Sequence, residues 1–253
     1  MNFIKINRYQ AFGGHLLGSM TVALCSAALV FLLWYPGRLA QASGVTDIFL
    51  LLLAVDVVVG PFITLIVFNR AKKELRRDLL IVLVLQISAL IYGLHAVFIA
   101  RPVYEVFSVD RFDVVFANDL TDKKLDKVTA TQFKAVPVLG PKFIAARRPE
   151  TSKERMAIAL SAVSGGDDVA QMPEHYVPYA DARDLVVKRL LPVENLRQFN
   201  KDEGAEIDAL VKRYAARPGG IGYLPMRGKV HDLTVVVARD SADVLETLSL
   251  NPW

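Results

Sequence analysis

Residues 51–69 read LLLAVDVVVGPFITLIVFN. Asp56 is the only charged residue in this run, and the helix-breaking pair Gly60-Pro61 follows four residues later. The run has the length and composition of a helix crossing a hydrocarbon core of about 30 Å. Its carboxylate must then face protein or water, because lipid offers it no partner. An aspartate near the bilayer centre costs about 2.5–3.5 kcal/mol, while each Leu, Ile, Phe or Val returns about 0.3–0.6. Roughly sixteen such residues over Ile48–Phe68 outweigh that cost. Asp56, Gly60 and Thr64 recur every four residues and share one helical face. Pro61 lacks the N–H that would reach the Val57 carbonyl, so this stripe combines an acid, a close-approach glycine, a kink and a hydroxyl.

Two further runs flank this one, so three spans are expected, at 16–35, 48–68 and 79–100. The first ends in Trp34-Tyr35-Pro36-Gly37, an interfacial belt and stop rather than a cleavage site. Lys5 and Arg8 precede it, and the loop NRAKKELRRD between the second and third spans carries Arg70, Lys72, Lys73, Arg76 and Arg77. The loop PGRLAQASGVTD carries only Arg38. Positive residues stay cytoplasmic, which puts the N-terminus and the basic loop inside and everything after the third span outside. In a Gram-negative cell that is the inner membrane, crossed three times, with a periplasmic C-terminal domain. The basic loop also suits anionic lipid or a partner protein.

The chain has 253 residues, 53% of them apolar, a formal charge of +4 and a pI near 9.1. Residues 1–101 form the membrane domain, leaving 102–253 for a second domain with its own core. In that part VYEVFSV and FDVVFA alternate as strands, and Thr151–Val163 and Lys201–Ala215 have helical spacing. LTVVVARD and DVLETLSL flank a polar turn and read as a hairpin. Eight prolines between 137 and 225 shorten everything between them. The fold class is thus three transmembrane helices followed by an α+β domain.

Catalytic signatures are missing. Gly165-Gly166-Asp167-Asp168 resembles a cyclase loop without its Glu-Phe, and reads as a helix-terminal glycine turn followed by an aspartate cap. Gly219-Gly220-Ile221-Gly222 has Pro225 where a third glycine belongs, and reads as a loop entering a strand. His175 and His231 lack companions at metal-ligand spacing. Cys25 cannot form an internal disulfide, and Leu24 before it disfavours lipidation, so a small core-facing thiol is expected. No catalytic, metal or cofactor residue is assigned, no nucleic-acid partner is expected, and the chain is read as a non-enzyme.

A set of motifs nonetheless resembles one family, the type IV pilin accessory proteins of the TfpX/TfpZ kind, to which FimB is related. The motifs are Asp56-x-x-x-Gly60-Pro61-x-x-Thr64-Leu65, Gln86-x-x-Ala89-Leu90-x-Tyr92-Gly93, Arg101-Pro102-Val103 and VFSVDRFDVV. Later pieces are Gly140-Pro141, Gly165-Gly166-Asp167, the Pro173, Tyr176, Pro178-Tyr179 cluster, Tyr223-Leu224-Pro225 and Pro252-Trp253. The resemblance implies an accessory factor that acts on the major type IV pilin, as a chaperone or as a modulator of pilus extension and retraction. Its partners would be the pilin's transmembrane helix and head, the bilayer and other assembly components.

Two roles for the polar stripe remain open on the sequence. In one, Asp56 is tied internally to Tyr92 or His95. In the other, the stripe and the facing surface of Gln86, Ala89 and Gly93 receive the pilin helix. Since the resemblance implies a pilin glutamate near the inner face, Gln86 and the Thr64 turn would touch it while Asp56 organises the groove. Tyr176 and Tyr179, between prolines, are the candidate contact loop for the pilin head, and a folded-core role for them stands at least equally. A membrane-anchored periplasmic sensor is the second functional reading.

Overall fold

The structure is a computed structural model that describes residues 7–253. Lys5 lies outside the described residues. The chain divides into two compact units, one of apolar helices and one built on a sheet.

The helical unit contains three helices long and apolar enough to cross a membrane: α1 (Arg8–Trp34), α3 (Val45–Val67) and α4 (Leu75–Ile99). A capping box starts α1, with Asn7 Oδ1 accepting from Gln10 N–H and Gln10 Oε1 accepting from Asn7 N–H. This start lies a full two turns before the expected span, drawing His15 into the helix. Edge-to-face pairs join α1 to α3, Phe12 with Phe62 at 5.8 Å and Phe31 with Phe49 at 5.4 Å. Gly93 of α4 lies against Leu52, whose methyl carbons would come within 2.5 Å of an added Cβ. Leu24, Leu32, Ile66 and Leu85 are exposed, as lipid-facing residues of such a bundle would be. Cys25 is also exposed, so it is not the core-facing thiol expected from composition.

The second unit comprises Ala100–Trp253 and, unexpectedly, Trp34–Gly44. Its strands are β1 (Pro102–Ser108), β2 (Arg111–Phe116), β3 (Lys142–Ala146), β4 (Tyr176–Pro178), β5 (Ile221–Arg227), β6 (Leu233–Ala238) and β7 (Val244–Leu248). They form one mixed sheet in the order β4-β3-β1-β2-β5-β6-β7, parallel at β1–β3 and β2–β5 and antiparallel elsewhere. Both expected early strands, the terminal hairpin, and the helices α5 (Ser152–Val163) and α7 (Gly204–Arg213) are present. Between these two helices lies α6 (Arg183–Arg189).

Strand alternation sorts the core. Leu224, Met226, Val235 and Val237 join Phe107, Phe112 and Val186 of α6 in one cluster. Tyr223 and Val236 join Ile207 and Leu210 of α7 in another. The first cluster also takes in Leu39 and Ala42 of α2 (Leu39–Ser43), the short helix inside the loop between the first two apolar helices. The Ala42 carbonyl accepts from Lys229 N–H at 3.0 Å and Val230 N–H at 2.8 Å, and Ser249 Oγ bonds Gln41 Oε1 at 2.8 Å. A loop that the charge pattern marked only as an outer connection is therefore part of the sheet unit's core.

Candidate functional site

The polar residues of the apolar helices converge on a cavity of about 250 Å³. His15, Gly18, Ser19 and Val22 of α1, Leu53 and Asp56 of α3, and Leu83, Gln86 and Ile87 of α4 line it. Its geometry follows from Pro61. The helix widens into a π-turn over Val55–Val59 just before Gly60-Pro61. In that i→i+5 register the donor missing at Pro61 is the one that would have faced the Asp56 carbonyl, rather than that of Val57. Gln86 supplies a substitute, its Nε2 donating to Asp56 O at 3.1 Å. The Gln86 amide lies directly over Gly60, where an added Cβ would fall 1.8 Å from its nitrogen. One turn further on, Thr64 Oγ1 and His15 Nδ1 are bonded at 2.6 Å.

Asp56 is only 7% exposed. Both of its carboxylate oxygens, and Gln86 Oε1, are buried without a hydrogen-bond partner among the described residues. The expected internal tie to Tyr92 or His95 is absent. Tyr92 is 77% exposed and His95 is exposed as well, both on outward faces of α4. The structure thus brings Asp56, Gly60, Thr64 and Gln86 together with a residue the sequence reading passed over, His15. Pro61 is buried beside them and Gly93 serves helix packing, while Tyr92 lies outside the cavity.

The tyrosine cluster of the sheet unit takes the core role, the second of the two readings left open. Tyr176 is buried, its hydroxyl donating to Ala170 O at 2.6 Å, and its ring stacks edgewise on Tyr104 and Phe133. Tyr179 donates to Ala242 O at 2.7 Å and tilts against Phe112 and Phe143. Apolar strand neighbours claim both rings, Tyr176 fully and Tyr179 in part. The Gly165-Gly166-Asp167-Asp168 stretch does close α5, with Gly165 at φ +80°, and Asp168 caps the turn that follows. Asp168 also accepts from Arg111 Nη2 at 3.0 Å and Arg227 Nη2 at 3.3 Å.

The sheet unit has one further notable group. Glu105 on β1 is 5% exposed, has no hydrogen-bond or ion-pair partner among the described residues, and burial pushes its carboxyl up to about 8. It faces a cavity of about 330 Å³ lined also by Pro36, Gly37, Arg38, Leu39 and Thr247.

Three helices long and apolar enough to cross a membrane, with acceptors turned inward, and a separate mixed-sheet unit are consistent with a membrane-anchored, multi-helix class of protein. Within that class the sequence comparisons are specific. The family model described as "Fimbrial assembly protein FimB" matches residues 5–44. The serogroup I fimbrial assembly protein of Dichelobacter nodosus is 33% identical over 204 residues, 79% of each chain. The serogroup E1 protein of the same organism is 29% identical over 217 residues, 85% of this chain and 84% of its own. The protein of serogroups C1 and C2 is 37% identical over 110 residues, 43% of this chain. No solved structure matches. The chain belongs to the FimB family of fimbrial assembly proteins. The matched stretch 5–44 includes both His15 and the α2 loop, the two features that the apolar runs alone did not single out.

Proposed function

We propose that this chain is an inner-membrane accessory factor of type IV pilus biogenesis that binds the major pilin without chemical turnover. It holds the pilin's transmembrane helix against the cavity of α1, α3 and α4, while its periplasmic sheet unit is available to the pilin head. A role in fimbrial biogenesis accords with the family, whose curated members are named fimbrial assembly proteins. The observation that carries the docking role is the set of buried, unpartnered acceptors facing a cavity between helices. Such groups are costly in hydrocarbon unless something completes them. Orientation with the basic loop inside follows from Arg70, Lys72, Lys73, Arg76 and Arg77.

Photocrosslinking in piliated cells tests this. Probes at Val22 and Ile87, on the cavity lining, are expected to capture the major pilin, and a probe at the outward Tyr92 is not. Adducts from Tyr92 alone would count against the groove. A second reading, a periplasmic sensor, has the Glu105 cavity in its favour. Gene deletion separates the two: the assembly factor predicts fewer surface pili, the sensor normal pili with an altered transcriptional response.

A further inference from the structure

We infer that the cavity is built for one kind of occupant, a partner transmembrane helix that presents a protonated amine to Asp56 and Gln86. This rests on reading the cavity as a helix-docking groove and adds the chemistry of what docks. Three oxygens define the demand: both carboxylate oxygens of Asp56 and Oε1 of Gln86, all buried and unpartnered. With Asp56 ionised, every one is an acceptor. The donors that could have answered them are committed elsewhere. Gln86 Nε2 is spent on the Asp56 carbonyl, and one bond joins His15 Nδ1 to the Thr64 hydroxyl, whose remaining donor does not reach these oxygens. Ser19 and the second ring nitrogen of His15 remain on the lining, and neither reaches these oxygens.

Complementarity therefore selects against two occupants. A wholly apolar helix leaves the acceptors buried and unmet. A helix carrying a carboxylate at this depth sets acceptor against acceptor and like charge against like. A glutamate on the partner is thus not the group that sits between Asp56 and Gln86. An ammonium brings three donors, as many as there are unmet oxygens, and a charge opposite to that of an ionised Asp56. Asp56 sits at the midpoint of Val45–Val67, so the amine must be carried at the middle of the partner span.

The test uses the full-length protein in lipid nanodiscs and synthetic 23-residue Leu/Ala helices matched to the length of α3. Energy transfer between labelled peptide and protein reads association. The helix with one central lysine is expected to bind about tenfold more tightly than the all-apolar helix. That preference disappears in Asp56→Asn and returns in Asp56→Glu, which a merely structural role for Asp56 would not produce. Equal binding of the lysine and apolar helices overturns the inference, because water would then satisfy the oxygens. A central serine binding as well as lysine overturns it too, as does a lysine preference surviving in Asp56→Asn. Pilin adducts at Val22 and Ile87 without any amine preference would leave the groove standing and remove only its chemistry. An amine preference without pilin adducts would do the reverse.

Discussion

Glu105 and Asp113 are both carboxylates buried in the sheet, and their surroundings treat them in opposite ways. Asp113 accepts from Ser108 Oγ at 2.8 Å and from Arg111, and pairs with Arg227 Nε at 2.7 Å, so its charge is met on several sides. Glu105 has only the Arg38 guanidinium on the lining of the same cavity, and no bond to it. Its pKa of about 8 exceeds the ordinary 4.5, so between those values the folded chain holds a proton that the unfolded chain has released. Stability from this group is complete below the unfolded value and is lost as pH rises towards 8. Denaturant midpoints of the full chain should fall over that window, with the folding constant dropping up to about tenfold per pH unit. Glu105→Gln should flatten the profile. An unchanged slope in that variant would assign the pH dependence to other groups.

Elements were legible in the sequence where one period dominates and one face is buried. VYEVFSV, FDVVFA and the terminal hairpin alternate cleanly, and their strands begin and end within a residue or two of the alternation. The same reasoning left Tyr176 and Tyr179 open between a contact loop and the core, because prolines on both sides mark a loop without saying whether strand neighbours will bury its rings. It also stopped short of α2, since five residues of LAQAS carry too little pattern to announce a helix that plugs a core. Gly228 is where that plug meets the β5–β6 turn. A Cβ there would lie 2.0 Å from the His231 carbonyl oxygen and 3.0 Å from Ala42. Gly228→Ala should therefore cost about 2 kcal/mol of stability, with earlier thermal unfolding and faster proteolysis at residues 34–44. An unaltered melting curve would mean that the turn relaxes without disturbing α2.

For the whole molecule, the apolar runs were enough to mark three helices long and apolar enough to cross a membrane. Fusing an alkaline phosphatase after Trp253 should give an active, exported enzyme, and an inactive one would reverse the orientation. The cavity was only partly readable. Asp56, Gly60, Thr64 and Gln86 stand out because they interrupt oil-like runs, and their spacing puts them on facing stripes. His15 was hidden by proximity to the N-terminal edge, although His15, Gly18, Ser19 and Val22 follow helical spacing from α1 into the cavity. What no spacing rule could supply was the slip to a π-turn, which moved the orphaned carbonyl from Val57 to Asp56 and so set the direction of the Gln86 amide.

The stitching of residues 34–44 into the sheet unit has a mechanical corollary. Where α1 stops, where α3 begins and where α4 stops, the chain passes each time directly into that unit. Residues 34–44 are therefore held by the sheet unit's own core, and this loop cannot fray without exposing Leu39 and Ala42.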